Sequence, residues 1–279
     1  MKRLGLAYNP TNDAALVLKD RAADWCRKHK VDAWDAPAGE LETLVAELPK
    51  TDGLIVLGGD GTFLRAARAV AAIDVPILGI NSGTVGFLSK AEPRELEEVL
   101  AHVAAGDYDL EARMMLEARV LPDGQKHAGE SHVALNDAAI VRGSQARVVR
   151  LEVTVDGTHL ATYICDGLVV STPTGSTGYS FSAGGPILDP TSRNMVMTTI
   201  AAYLSAIRSI VVGPDHTVLV KVIDAYDVLV SIDGREDIAL KVGDAVEVVS
   251  RDRPIRFITP HGSPPFWELL RRKAELLPS

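Results

Sequence analysis

The stretch Leu54-Ile-Val-Leu-Gly-Gly-Asp-Gly-Thr-Phe-Leu-Arg65 decides how this chain folds. Its first half is continuously apolar, which predicts a buried strand over 53–57, and the spacing of apolar residues over 63–72 predicts a helix. The glycines between them let the backbone turn sharply and approach a bulky ligand, because no Cβ intervenes. Strand, glycine turn and helix in this order are typical of an α/β domain.

The residues around this stretch continue the alternation of strands and helices. The predicted strands are 3–8, 31–34, 53–57 and 76–80, and the predicted helices are 14–29, 41–48, 63–72 and 95–104. Such alternation indicates a doubly wound, mostly parallel sheet that helices cover on both faces. We therefore predict an N-terminal α/β domain over residues 1–107.

After about residue 108 the segments become short, rich in valine and isoleucine, and separated by turns. The predicted strands are 116–121, 138–142, 150–155, 168–171, 217–222, 227–232 and 245–250. The dipeptides Asp156-Gly157 and Asp233-Gly234 are typical of hairpins. This pattern predicts an antiparallel β-rich domain over 108–262, followed by a helical tail over 263–279 that packs back on the molecule.

Composition restricts the classes of protein to which this chain can belong. Of its 279 residues, 47% are hydrophobic and 24% are charged, which suits a globular protein with a buried core. The net charge of −8 and an aromatic content of 5% disfavour partners such as nucleic acids or anionic membranes. Neither a signal peptide nor a membrane span is predicted, so we expect a cytoplasmic protein with Cys26 and Cys165 reduced.

The glycine turn is the first candidate site. Free amides and the positive dipole end at the start of the following helix favour an anion, so Gly58, Gly59, Gly61 and Thr62 are predicted to bind phosphate. Asp60 does not suit a pure phosphate cradle, but its carboxylate can meet a metal ion or a hydroxyl proton there. The alternative is a tight turn in which Asp60 only caps the helix.

Two further glycine-rich stretches follow predicted strands. Gly79-Ile-Asn-Ser-Gly-Thr-Val-Gly86 should open on the same sheet edge as the glycine turn. Residues 171–186 concentrate hydroxyl groups and glycines that can bond ribose and phosphate oxygens. A flexible linker is the alternative for this segment, although it would not carry Tyr179 and Phe181. The chain lacks the P-loop signature and, with Leu64, the third glycine of the dinucleotide fingerprint.

Taken together, these motifs resemble those of the NAD kinase family. The glycine turn, the 79–88 loop, the pair Asn136-Asp137 and the run Thr172–Pro186 occur in the family's order, and the resemblance extends over residues 3–258. It implies a two-domain α/β plus β fold and phosphorylation of the 2′-hydroxyl of the adenosine ribose of NAD, giving NADP. The phosphate donor stays open between ATP, another triphosphate and polyphosphate.

The resemblance also implies roles for individual residues. Asp60 matches the proton acceptor, the pair Asn136-Asp137 matches residues on the ribose and nicotinamide side, and 177–182 matches the adenosine side. The implied NAD-binding residues are Asp60, Gly61, Arg65, Asn136, Asp137, Arg147, Asp166, Thr177, Gly178, Tyr179, Ser180, Phe181 and Ser182. We expect a divalent metal, Mg²⁺, to come with the nucleotide phosphates, and a homodimer or homotetramer. The histidines are scattered, so no protein-bound zinc is expected.

The chain departs from the family pattern at four places. Asp137 replaces Glu, Gly178 replaces Ala, Ala202-Tyr203 replaces a Pro-His pair, and Arg235 stands where Gln is frequent. Two alternatives to an NAD kinase are a lipid or sugar kinase that shares only the glycine turn, and a non-catalytic sensor of NAD(H). Asp60 argues against the sensor, because a binder needs no carboxylate beside phosphates. Metal-dependent phosphate release in the presence of NAD separates the three.

Overall fold

The computed structural model describes residues 1–83, 86–124, 129–144, 147–203 and 207–275, and these fold into two compact units. The first unit is Met1–Ala112 together with Ile255–Ser279, and the second is Arg113–Pro254. The sequence placed the domain boundaries at 107 and 262. The boundaries in the structure lie at 112 and 255 instead, because the chain returns at 255 to add a strand to the first unit.

The helices and strands follow one another along both units. The strands are β1 Arg3–Tyr8, β2 Asp32–Pro37, β3 Gly53–Leu57, β4 Ile77–Ile80, β5 Ser89–Ala91, β6 Tyr108–Arg113, β7 Leu116–Leu121, β8 Ser131–Ala134, β9 Asp137–Arg142, β10 Val149–Val155, β11 Thr158–Cys165, β12 Gly167–Ser171, β13 Met195–Ile200, β14 Ser209–Val212, β15 Val218–Asp224, β16 Val228–Ile232, β17 Glu236–Leu240, β18 Ala245–Ser250 and β19 Ile255–Pro260. The α-helices are α1 Asp13–His29, α2 Leu41–Glu47, α3 Asp60–Ile73, α4 Leu96–Ala105, α5 Tyr179–Ser182 and α6 Phe266–Glu275.

Helix α1 illustrates how local sequence sets an element's limits. The side chain of Asn12 accepts a hydrogen bond from the amide of Ala15 at 2.9 Å and caps the start of the helix. At the other end Lys30 takes the left-handed conformation with φ 58°, and the basic side chains of the last turn favour the negative end of the helix dipole.

The sheet of the first unit has the strand order β2-β1-β3-β4-β19-β6, with β5 also paired to β4. The pairs β1/β2, β1/β3, β3/β4 and β4/β19 are parallel. Helices cover both faces, since Ile258 of β19 lies in the core with α1 and α4 while its neighbour Phe257 contacts Phe63 of α3, ring centroids 4.9 Å apart. The predicted doubly wound, mostly parallel sheet is therefore confirmed.

The C-terminal helix packs back on this first unit, as the sequence predicted. The ring of Phe266 lies 6.3 Å from that of Phe87, and the Lys273 ammonium lies 4.3 Å from the Phe87 ring centroid. Helix α6 therefore covers the loop that follows β4. Within the described residues, no helix is both long enough and apolar enough to cross a membrane.

The second unit consists of two antiparallel sheets, as predicted. Their strand orders are β11-β10-β15-β18-β7-β8 and β14-β13-β12-β9-β16-β17. Both sheets contribute alternate residues to one hydrophobic core. Along β16, Val228, Val230 and Ile232 belong to this core, whereas Leu229 and Ser231 lie on the opposite face. That opposite face lines the candidate cavity of the second unit.

Candidate active site

In the first unit, the candidate site begins where β3 ends and α3 starts. Only two glycines separate the elements, and a Cβ on Gly58 would come within 2.6 Å of the Thr62 hydroxyl, so glycine lets the first helical turn fold against the strand. Gly59 is the N-cap and supplies no side-chain cap. The predicted start at 63 is three residues late, because Asp60, Gly61 and Thr62 form the first turn. The Thr62 amide donates to the carbonyl of Gly59 at 2.8 Å, so free amides are expected only at the positions before it.

The carboxylate of Asp60 joins the two glycine-rich loops of the first unit. One of its oxygens accepts the amide of Phe87 at 2.9 Å and the other accepts the amide of Leu88 at 3.2 Å. Gly86 lies so close that a Cβ there would collide with the carboxylate. The two loops follow neighbouring parallel strands, β3 and β4, and so open on the same sheet edge, as predicted. The alternative in which Asp60 only caps its own helix is wrong, because its oxygens bond the neighbouring loop.

Other predicted residues of the first unit surround this junction. Asn81 is almost fully buried, and its side chain both donates to the carbonyl and accepts from the amide of Gly83, which holds the loop. Residues 84 and 85 of the same predicted loop lie outside the described residues. Arg65 lies farther along α3, where its Cδ is close to Gly39.

In the second unit, a cavity of about 500 Å³ opens on the outer face of β9 and β16. Its lining includes three residues that the sequence predicted, Asn136, Asp137 and Tyr179. Apolar side chains of β9 and β16 form part of its wall, and the lining also includes three aspartates. The lining residues are Asn136, Asp137, Ala139, Val141, Arg142, Gly143, Ser144, Tyr179, Leu229, Ser231, Asp233, Gly234 and Asp237.

Asp233 organises the polar end of this cavity. Its carboxylate accepts backbone hydrogen bonds from Leu135 at 3.0 Å, Asn136 at 2.7 Å and Asp137 at 3.1 Å. Its own amide donates to the carbonyl of Asp137 at 2.9 Å. Sequence reasoning assigned Asp233 only to a hairpin turn, and its φ of 53° agrees with a turn. The sequence offered no signal for these contacts, because the amides lie almost a hundred residues away.

Asp137 is a buried carboxyl residue, and its half-buried neighbour Asn136 has a buried oxygen atom. The Asp137 side chain is 5% exposed, and burial together with the charge of Asp233 raises the pKa of its carboxyl to about 7. The Oδ1 atom of Asn136 is buried and has no hydrogen-bond partner within the described part of the chain. A buried acceptor without a partner is costly, so it indicates a place where a ligand donates a hydrogen bond.

The raised pKa of Asp137 predicts how stability depends on pH. The unfolded carboxyl titrates near pH 4 and the folded one near 7, so the folded state binds an extra proton between these values. The free energy of unfolding should fall as pH rises through this window, by up to about 4 kcal/mol, and the loss should be complete above it. Asp137→Asn should lack this loss. Urea titrations at pH 5 and 8 measure it, and equal losses in both proteins would contradict the assignment.

The segment 172–186 packs against the backbone that leads into the cavity. The Thr172 hydroxyl donates to the carbonyl of Leu135 at 2.6 Å, and the Thr172 amide donates to that of Asn136 at 2.8 Å. Gly175 lies against the backbone of Asn136, where a Cβ would collide. The flexible-linker alternative is therefore wrong, because this segment is part of the fold.

The predicted residues of 177–182 differ in their surroundings: some lie at the cavity, one is buried, and others are exposed. Tyr179 lines the cavity and is 43% exposed, and a Cβ on Gly178 would lie 3.8 Å from Nδ2 of Asn136. Ser180 is fully buried, with its hydroxyl 3.1 Å from that of Thr198. Phe181 and Ser182 are exposed, and the Thr177 hydroxyl donates to the carbonyl of Thr174 at 3.3 Å.

The remaining predicted positions lie around this unit. Asp166 pairs with Arg142, Oδ1 to Nε 3.1 Å, and Arg142 is a cavity-lining residue that the sequence did not single out. Arg147 is exposed, with its guanidinium 4.9 Å from the Tyr226 ring centroid. Of the departures from the family pattern, Tyr203 is also exposed, and its amide donates to the carbonyl of Ile164 at 2.8 Å.

The fold of this chain is also found in two solved structures. It superposes on yeast NADH kinase complexed with NADH with a TM-score of 0.87, at 21% identity over 100% of this chain and 88% of the other. The NAD kinase of Archaeoglobus fulgidus in complex with ATP gives 0.80, at 24% identity over 99% and 100%.

Sequence comparison identifies the family. The ATP-NAD kinase N-terminal domain matches residues 5–108, and the ATP-NAD kinase C-terminal domain matches residues 135–259. An NAD kinase of Heliobacterium modesticaldum is 37% identical over 99% of both chains, and one of Symbiobacterium thermophilum is 43% identical over 93% of this chain and 88% of its own.

The chain belongs to the NAD kinase family. The predicted family and enzyme class, a kinase that phosphorylates NAD with ATP, are thereby confirmed. The lipid- or sugar-kinase alternative required a match confined to the glycine turn, and the match instead includes both domains.

Proposed function

We propose that this chain transfers the terminal phosphoryl group of ATP to the 2′-hydroxyl of the adenosine ribose of NAD, with Asp60 accepting the proton of that hydroxyl. The observation that carries the proposal is the Asp60 carboxylate, held at the start of an uncapped helix by the amides of Phe87 and Leu88. These two hydrogen bonds orient the carboxylate, and each of its oxygens keeps a further lone pair that can accept a proton.

The start of α3 would receive the transferring phosphoryl group. Free amides and the positive dipole end stabilise negative charge there. The amides of Gly58 and Thr62 already donate to the carbonyls of Ile80 and Gly59, so Gly59 and Gly61 remain our candidates for amide contact with phosphate. Phosphoryl transfer is catalysed mainly by alignment and charge stabilisation. The loop amides that orient the Asp60 carboxylate would supply the alignment. The helix start, which this loop borders, would supply the charge stabilisation.

A divalent metal fits this arrangement if the nucleotide brings it. Within the described residues, no three side chains of His, Cys, Asp or Glu come together as a metal site. Mg²⁺ commonly takes one or two carboxylates, several waters and substrate phosphates, so the single carboxylate of Asp60 would suffice beside a phosphate-binding helix start. When bound, Mg²⁺ would neutralise charge on the phosphates, and Asp60 would bind it through one oxygen and accept the ribose proton at the other.

The second-unit cavity would hold part of the NAD molecule. Asn136 and Asp137 offer polar groups and Tyr179 offers a half-exposed ring, which suits hydrogen bonding and stacking with a nucleotide. A volume of about 500 Å³ lies in the range of small-molecule sites. The other predicted NAD contacts of this unit, Arg147, Asp166, Thr177, Gly178, Ser180, Phe181 and Ser182, surround or support this cavity in our proposal.

We also propose a homodimer or homotetramer. Ile164, Tyr203 and Val211 are large apolar side chains that are 40%, 68% and 49% exposed, and a backbone hydrogen bond links the first two segments. Burial of such side chains between copies would remove apolar surface from water. Light scattering on Tyr203→Glu beside the unaltered protein should show a smaller particle, and an unchanged mass would exclude this face.

The activity is tested by incubating the protein with NAD⁺, Mg²⁺ and one donor at a time, with ATP, a second triphosphate and polyphosphate compared. We expect NADP⁺, detected with an NADP-specific dehydrogenase, to form in proportion to the donor consumed. Donor hydrolysis without NADP⁺ would contradict the proposal, and NAD binding without either reaction would favour the sensor. Omission of Mg²⁺ should abolish product.

Substitution of Gly178 tests the place of NAD. A Cβ there would lie 3.3 Å from the carbonyl of Gly175, so alanine requires only a small shift, but the branched side chain of Gly178→Val would crowd Asn136. We expect Gly178→Val to raise the KM for NAD about tenfold and to leave the KM for the donor unchanged, with Gly178→Ala as the matched control. Equal changes in both constants would place NAD elsewhere.

A further inference from the structure

We infer that Asp233 is a positioning residue that carries the negative charge of a buried carboxyl pair and leaves the proton on Asp137. The cavity then offers the acceptor nucleotide a hydrogen-bond donor at Asp137 rather than a negative charge. This inference rests on the proposed function, because it concerns the cavity that we assign to part of NAD.

The surroundings of the two carboxyl groups differ in a way that decides where the charge lies. Asp233 accepts three backbone amides, those of Leu135, Asn136 and Asp137, at 2.7–3.1 Å. Amide donors stabilise the ionised form of a carboxyl group. Within the described residues, the Asp137 side chain receives no such set of amides, and it is 5% exposed. A second buried charge beside the first would be unfavourable, so the proton belongs on Asp137.

The other charged groups around Asp137 do not reverse this distribution. They are Asp237, Tyr179 and the Arg142–Asp166 pair in the cavity wall, and the exposed Arg235 in the turn after Asp233. The positive charge of Arg142 is accompanied by Asp166, Nε to Oδ1 3.1 Å. Burial and the charge of Asp233 together raise the pKa of Asp137 to about 7, in agreement with the geometry.

A protonated Asp137 complements its neighbour Asn136. The buried Oδ1 atom of Asn136, which has no partner in the described part of the chain, can accept a hydrogen bond. The adjacent Asp137 hydroxyl can donate one, and both residues line the same cavity. A donor beside an acceptor matches a primary carboxamide or an aminopurine edge, each of which presents an N–H group next to a lone pair. NAD contains both groups, one at each end.

The pH dependence of NAD affinity tests the inference. Calorimetric titrations of NAD between pH 6 and 9 should show affinity falling about tenfold per pH unit above about 7, because ionisation of Asp137 removes the donor. Asp137→Asn keeps a neutral donor and should bind NAD with little dependence on pH. Asp224→Asn removes an exposed carboxyl outside this cavity and should keep the dependence of the unaltered protein.

Replacement of Asp233 tests its positioning role. Asp233→Asn removes the charge and one acceptor oxygen, so Asp137 should ionise at lower pH and the midpoint of the affinity loss should shift below its position in the unaltered protein. The KM for NAD should rise while kcat changes less. If Asp233→Asn does not fold, the comparison of Asp137→Asn with Asp224→Asn still decides the inference. A pH-independent affinity in the unaltered protein, or equal dependence in Asp137→Asn, would overturn it.

Two NAD analogues distinguish the ends of the molecule. Nicotinic acid adenine dinucleotide replaces the carboxamide by a carboxylate, and nicotinamide hypoxanthine dinucleotide inverts the donor and acceptor of the purine edge. The analogue that loses the pH-dependent affinity identifies the group bound at Asn136 and Asp137, and retention in both would overturn the recognition. Binding is measured without turnover. A protein that binds NAD with this pH dependence but makes no NADP⁺ would therefore contradict the proposed function and leave the inference about Asp137 and Asp233 intact.

Discussion

Asp60→Asn is expected to lower kcat by about 10²–10⁴-fold, the usual contribution of a general base. The amide of asparagine cannot accept the ribose proton, although its size is nearly that of aspartate. Affinity for NAD should change far less, because the cavity residues of the second unit are untouched. Steady-state kinetics and calorimetric titration of NAD measure the two effects separately.

The structure adds a second consequence for Asp60→Asn and also supplies its control. The amino group of asparagine would face the amide of Phe87 or of Leu88, so one loop hydrogen bond is lost with the proton acceptor. Asp52, at the other end of β3, likewise accepts two backbone amides, from Lys2 at 2.6 Å and Arg3 at 3.0 Å. Both of these amides bond the same oxygen, which asparagine retains, so Asp52→Asn removes a carboxylate charge and should leave kcat unchanged. Near-normal turnover in Asp60→Asn would exclude Asp60 as the general base.

Gly86→Ala is expected to lower kcat by about 10²-fold. The added Cβ would collide with the carboxylate of Asp60, so the carboxylate or the loop must move by about an ångström, a displacement that can cost this much. The loss should appear mainly in kcat, because the alanine adds no charge and removes no hydrogen-bond donor. Stopped assays with saturating NAD and donor measure it.

Gly83→Ala is the matched control for that substitution. Gly83 belongs to the same loop, and a Cβ there meets nothing within 4 Å among the described residues. Gly83→Ala should retain nearly full turnover, and its melting temperature should be close to that of the unaltered protein. If Gly86→Ala also retained full turnover, the orientation of Asp60 by this loop would be irrelevant to the reaction.

Much of the architecture follows from patterns that extend over only a few residues. Continuous apolar runs predict the buried strands β3 and β4, and apolar spacing predicts helices such as α1 and α4. The short valine-rich segments likewise predict β10, β15 and β16. Each predicted strand and helix of the first hundred residues is found, with ends shifted by a few residues, because caps such as Asn12 and Gly59 set the true limits.

Strand β19 shows why the domain division was less predictable. Ile255–Pro260 has the composition of the β-rich segments before it, so the sequence grouped it with them. In the structure it pairs in parallel with β4, with Phe257 opposite Ile77. That pairing depends on which sheet edge is open to the returning chain, and no local pattern records this.

The sequence alone determined the family, the glycine turn and the presence of a carboxylate at the start of α3, because spacing and residue type suffice for each. Only the tertiary structure decided which groups surround that carboxylate and where charge rests in the second unit. The amides of Phe87 and Leu88 reach Asp60, and Asp233 reaches the amides of 135–137, only after distant segments fold together. Burial and hydrogen bonding give Asp137 and Asp233 different protonation states, although the residue type is the same.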